Sequence, residues 1–219
     1  DRFGRWNWFS WEPRILEGRA RAWLLAGAAL FEGEEGPRRL RILTRQVRRL
    51  DRAFAVIEPD RTRLDAAITL ALAMVSLDMG GARAARVGVA LESALKTQIL
   101  PDGGHVSRSP EAAAEILAAL CVLDRAAAER GALLPGEVAR AMDRIAGFLR
   151  FARLPGGALA AFHGGGEGDG RALDAALKHV AGGKKVAARP GFNVAPHSGF
   201  QRADAGGSVV IFDAAGPPP

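Results

Sequence analysis

Apolar side chains recur along this 219-residue chain at alternating spacings of three and four. That period places them on one face of an α-helix. The clearest case is the stretch from about 37 to 57, where Leu40, Leu43, Val47, Leu50, Phe54 and Ile57 draw a single stripe. The same reading predicts a helix over about 61–79 with Leu64, Ile68, Leu72, Val75 and Met79 inward. A further helix over about 82–100 carries Val87, Leu91, Leu95 and Ile99, and one over about 135–153 carries Val138, Met142, Ile145 and Leu149. Two more are marked by their starts. Pro13 suits the first turn of a helix reaching about residue 31. Ser109, followed by Pro110 and Glu111, is an N-cap signature for a helix running to about residue 130.

The links between these segments are short: "EGEEG", "EPD", "GG", "LPDGGHVSRSP" and "GALL". Short links make antiparallel neighbours, so three consecutive helical hairpins are expected. They suit a closed bundle, an α/α solenoid or a toroid equally, and periodicity does not separate these. After Arg153 the pattern changes. "LPGGALAAFHGGGEGDG" is Gly-rich, "RALDAALKHVAGG" reads as a short helix, and "KKVAARPGFNVAPHSGF" is linker-like. Strand signals follow at about 198–202 and 208–213. A lone β-branched strand has no sheet to join in a helical chain. The boundary of a second, β-rich domain is therefore placed between about 155 and 195, and both ends of the chain read as cut.

Composition narrows the partners. With 48% hydrophobic residues the chain can bury a core. No run approaches the roughly 18 apolar residues of a membrane span. A single cysteine excludes an intrachain disulfide or a cysteine-built zinc site, and Cys121, inside "EILAALCVLD", reads as a core thiol. The formal charge of +6 favours an anionic partner. Arg38, Arg41, Arg45, Arg48, Arg49 and Arg52 lie opposite the apolar stripe of the second helix, first of all as its solvated side and secondly as a track for an anionic polymer. Nucleic acid is not expected, because Trp6, Trp8 and Trp11 lie apart from these arginines. Those tryptophans read as packing residues or as platforms for sugar rings.

The densest polar chemistry sits in the fourth link. Asp102, His105, Ser107 and Arg108 surround Gly103 and Gly104, which read as a positive-φ turn. Arg108 suits bidentate pairing with an acidic group and His105 a proton relay. The other reading is that these side chains serve the backbone and the cap of the following helix. "FHGGGEGD" is the second candidate, with His163, Glu167 and Asp169 beside three glycines. It lacks the lysine and the strand–loop–helix setting of a phosphate loop. His163 with Glu167 supplies only two ligands, so no metal and no cofactor are expected. His179, Lys184 and Lys185 read as solvated.

Four stretches in order, "EPRILEGRARAWLL", "QILPDGGHVSRSP", "LAAFHGGGEGD" and "PHSGFQRADAGGSVVIFDAAGPPP", together resemble the heparinase II/III-like family of bacterial polysaccharide lyases. The resemblance implies a mainly α fold: helical hairpins of an (α/α) toroid over 1–155, a loop, short helix and linker over 156–195, and the first strands of a truncated β-sandwich over 196–219. It implies β-elimination on uronic-acid-containing polysaccharides, with His105 and Arg108 as the catalytic pair and Asp102, His163 and Glu167 lining the substrate cleft. An acidic polysaccharide partner and a periplasmic or cell-envelope location follow from the resemblance alone. The family's usual tyrosine and asparagine are missing, since the chain has no tyrosine and only Asn7 and Asn193. The isolated chain is therefore expected to be inactive. The alternatives are a non-catalytic polysaccharide-binding relative, or a helical scaffold that binds anionic partners. All site roles depend on Arg108 facing a ligand and not the protein interior.

Overall fold

Leu43, Val47 and Leu50 are completely buried, and they set the frame on which the second helix lies. The computed structural model describes residues 7–184 and 191–216; Trp6 and Lys185 fall outside them. Among the described residues the protein is mainly helical, with one small antiparallel sheet. The helices are α1 (Pro13–Leu25), α2 (Gly36–Ala53), α3 (Arg61–Ser76), α4 (Ala82–Gln98), α5 (Pro110–Arg130), α6 (Gly136–Ala152) and α7 (Gly170–Val180). The strands are β1 (Val194–Ala195), β2 (Phe200–Ala205) and β3 (Ser208–Asp213). No helix among the described residues is long and apolar enough to cross a membrane. Contacts divide the chain into two compact units, Asp1–Ala94 with Ala126–Leu133, and Leu95–Arg125 with Leu134–Pro219.

In the first unit, α1 is shorter than its apolar pattern suggests. It stops at Leu25, and Gly27 at φ 63° turns the chain into a short 3-10 segment, Ala28–Phe31. Leu40, expected on the apolar stripe of α2, is 41% exposed, while Gln46 is buried and accepts from Arg19 Nε at 3.0 Å. α3 begins at the N-cap Asp60, whose carboxylate accepts from Thr62 and Arg63. It is buried on nearly every side from Leu64 to Met74, so its apolar residues are not confined to one stripe. One acid enters this core. Glu17 is buried, accepts from Thr69 Oγ1 at 2.7 Å, and has its pKa raised, chiefly by desolvation.

In the second unit, α6 buries the four apolar residues its period predicts, together with Phe148 and Phe151. Phe200 packs on Phe148 with ring centroids 6.2 Å apart and on Phe162 at 4.9 Å, and Phe192 stacks on Phe151 at 5.3 Å. The sheet is ordered β1-β2-β3 with both pairs antiparallel. The strand over 208–213 thus has a partner within the chain. β2 and β3 are joined by Gly206 and Gly207, both at positive φ, with Ala205 facing Ser208 across the turn. Two successive positive φ angles characterise the tight hairpin turn whose twist matches its strands. Arg202 ties this sheet to the helices: its Nη1 donates to the carbonyls of Phe151 and Arg153 at 2.6 and 2.7 Å. Those carbonyls belong to the C-terminal end of α6, where a cation is favoured.

Candidate functional site

The link before α5 folds as its residues dictate. Pro101 and Asp102 occupy the middle of a turn closed by Gly103 N–H donating to Leu100 O, and a short bridge pairs Ile99 with His105. Gly103 has φ 92°, and a Cβ there would overlap the carbonyl of Arg144 on α6. Gly104 does not share the positive φ expected for it. It is glycine because Ser198 Oγ lies where a Cβ would be. Ser109 caps α5: its Oγ accepts from Ala112 N at 3.3 Å.

Every polar side chain of this link turns toward the protein. One Asp102 oxygen accepts from His197 N at 2.8 Å and Ser198 N at 2.6 Å. The other accepts from Ser198 Oγ at 2.6 Å and Gly104 N at 3.2 Å. His105 is 3% exposed, with Nδ1 2.7 Å from Ser107 Oγ and Nε2 3.2 Å from Gln98 Oε1. Arg108, 5% exposed, adopts φ 59° although it is not glycine. Its Nε donates to Ser198 O at 2.8 Å, Nη1 to Gly216 O and Nη2 to the Asp213 carboxylate. The guanidinium lies 5.3 Å from the centre of the Phe200 ring. All three of its nitrogens are thus engaged by residues 90 or more positions downstream. A buried charge held in this way is a fixed internal tie, since removing one partner strands the other.

The glycine loop joins the same tie. His163 Nε2 is 2.8 Å from the second Asp213 oxygen, so this one carboxylate holds both Arg108 and His163. Burial, and after it the Arg108 guanidinium, keeps the His163 imidazole below its ordinary pKa. Glu111, in the first turn of α5, accepts from Gly166 N at 2.6 Å and pins the loop from the other side. Asp169 caps α7 by accepting from Arg171 and Ala172. Glu167 is exposed and contributes its backbone carbonyl to Leu159. The structure therefore brings Asp102, His105, Arg108 and His163 into one cluster and leaves the Glu167 side chain outside it. Sequence reasoning missed Ser198, Phe200 and Asp213. The "PHSGF" and "IFD" stretches that carry them were legible as strand and linker, but nothing local marked them as partners of Arg108.

Two other expectations change, those for His179 and Trp11, while the core position read for Cys121 holds. His179 is not simply solvated, because its Nε2 sits 2.8 Å from Asp124 on α5. Cys121 is buried, its pKa is pushed up to about 12 by burial, and its Sγ lies 3.7 Å from Ala176 O. Trp11 is half-buried under two guanidinium groups, with Arg45 5.3 Å and Arg19 5.9 Å from the ring centre.

The chain is similar to FtsZ-localized protein C. The match to this Caulobacter vibrioides (strain NA1000 / CB15N) protein is 37% identical over 222 residues and covers 99% of the chain. The chain spans 37% of the relative's length. No known family profile matches the chain, and neither does any solved structure. These findings overturn the resemblance to heparinase II/III-like lyases. With it go the β-elimination activity, the acidic-polysaccharide partner and the polysaccharide-binding alternative. The reading as a general scaffold for anions gains nothing from the comparisons either. His105 and Arg108 as a catalytic pair, with Asp102, His163 and Glu167 around a sugar, lose the reaction they were assigned to. The inward guanidinium of Arg108 is the physical counterpart of that correction.

Proposed function

We propose that this chain is a protein-binding segment of a longer protein that works at FtsZ, in a role connected with cell division. The observation that carries this reading is the match to FtsZ-localized protein C along 99% of the chain. The burial of the motif loop supports it from the other side. Asp102, His105, Arg108 and His163 spend their hydrogen-bonding capacity on the protein itself, which suits a scaffold holding its own shape. For the fold of the longer protein, we infer that the hairpins over 1–155 belong to an (α/α) toroid and that the strands after residue 195 open a β domain. Short links between helices of 13 to 21 residues supply the antiparallel hairpins from which such a toroid is built. The direct test sediments purified FtsZ polymers with the 219-residue chain. Enrichment of the chain in the polymer pellet is the expected result. A chain that stays in the supernatant at every FtsZ concentration refutes the reading.

A further inference from the structure

We propose that the outer face of α2 is a docking surface for an acidic segment of a protein partner. This rests on the protein-partner reading above and deepens it. Within Gly36–Ala53 stand seven arginines and one acid, Asp51. Asp51 does not neutralise them, because its carboxylate is taken by Arg86 Nη2 at 2.7 Å and Arg83 Nε at 3.3 Å, both from α4. Arg39 donates to Leu30 O, and Arg38 pairs with Glu35 in an exposed bridge. Arg41, Arg48 and Arg52 are exposed and have no hydrogen-bond or ion-pair partner among the described residues.

Their spacing makes them one feature. Arg41, Arg45, Arg48 and Arg52 follow at i, i+4, i+7 and i+11, which aligns them on one side of the helix over roughly 16 Å. With Leu40 and Thr44 they line a shallow, open concavity. Like charges at these spacings repel and work against the helix. Arg41, Arg48 and Arg52 break this local rule with no ion pair among the described residues to offset it, and such a departure is where function is expected. Arginine forks bind carboxylates two bonds at a time, so a run of Asp and Glu side chains is the complementary chemistry. Trp11 lies under Arg45, and tryptophan and arginine are among the residue types enriched at interface hot spots.

Lipid is the less suitable occupant. An amphipathic helix binds a membrane by burying its apolar face among the lipids, and Leu43, Val47 and Leu50 of α2 are already fully buried in the protein.

The test measures binding of the 219-residue chain to a fluorescent Asp/Glu-rich peptide, to phosphatidylglycerol vesicles and to duplex DNA at physiological salt. The chain is also sedimented with FtsZ polymers. Each measurement is repeated with Arg41→Glu/Arg48→Glu/Arg52→Glu, and with a control bearing the same charge change elsewhere, Arg125→Glu/Arg171→Glu/Lys178→Glu. The peptide is expected to bind the native chain and the control, and to lose at least tenfold in affinity for the α2 variant with its thermal midpoint unchanged. Equal loss in both variants, or none in the α2 variant, overturns the proposal. So does tighter binding of vesicles or DNA than of the peptide. If the peptide result holds and FtsZ does not sediment the chain, the surface stands and the FtsZ reading falls.

Discussion

Two groups of arginines in this chain have opposite fates. Arg108 sits in the motif with the densest chemistry, yet its guanidinium is 5% exposed as a residue and bound to Ser198, Gly216 and Asp213. Arg41, Arg48 and Arg52 sit in a plain charge run, yet they face solvent with no partner among the described residues. Polar density along the sequence therefore marked the place where the protein ties itself together. The contrast teaches that a charged residue becomes available to a partner only when the chain does not supply one.

Removing the internal tie should have the largest effect. Arg108→Ala leaves the carbonyls of Ser198 and Gly216 without their donor and Asp213 without its guanidinium partner, and a loss of about 3 kcal/mol is expected in denaturant unfolding. Binding of an acidic peptide by whatever fraction remains folded should be unchanged. Asp102→Ala comes next. It strips the amides of His197 and Ser198 and the Ser198 hydroxyl of their acceptor, for which roughly 2–3 kcal/mol is expected by the same measurement. Charge reversal at Arg41, Arg48 and Arg52 should shift stability by no more than about 0.5 kcal/mol, as surface changes do. Its effect belongs to binding.

A gentler probe of the tie is acid. His163 has a folded-state pKa below its ordinary 6.5. The unfolded chain therefore takes up the proton first as pH falls. The stability associated with a neutral His163 is fully present above about pH 6.5 and declines below it, until the folded form is protonated as well. Unfolding measured across that window should show the decline, and His163→Gln should flatten it. The smallest expected signal is at Cys121. With its thiol buried and its pKa pushed up to about 12, it should resist thiol reagents at neutral pH until the protein unfolds.

Much of the helical frame was legible because it is local. Val87, Leu91 and Leu95 on α4, Ile99 just past its end, and Val138, Met142, Ile145 and Leu149 on α6 are all buried as their spacing predicts. The period misplaced Leu40, which is 41% exposed, while Gln46 takes an inner position with Arg19. It also missed the early end of α1, where Gly27 redirects the chain. β3 was placed correctly, but its pairing with β2 was not foreseen, although Gly206 and Gly207 spell the turn between them. The tie around Arg108 was illegible for a different reason. Its partners lie 90, 105 and 108 residues away, and nothing in "LPDGGHVSRSP" indicates whether a guanidinium faces inward or outward. That is settled by tertiary packing against Phe200 and by the path of β3.

Arginine accessibility tests the central contrast most directly. The native chain is treated briefly with phenylglyoxal, digested, and each arginine's extent of modification is read by mass spectrometry. Arg41, Arg48 and Arg52 should react early and to completion, while Arg108 stays unmodified until denaturant is added. Modification of Arg108 in the folded chain at a rate matching the α2 arginines would contradict the account.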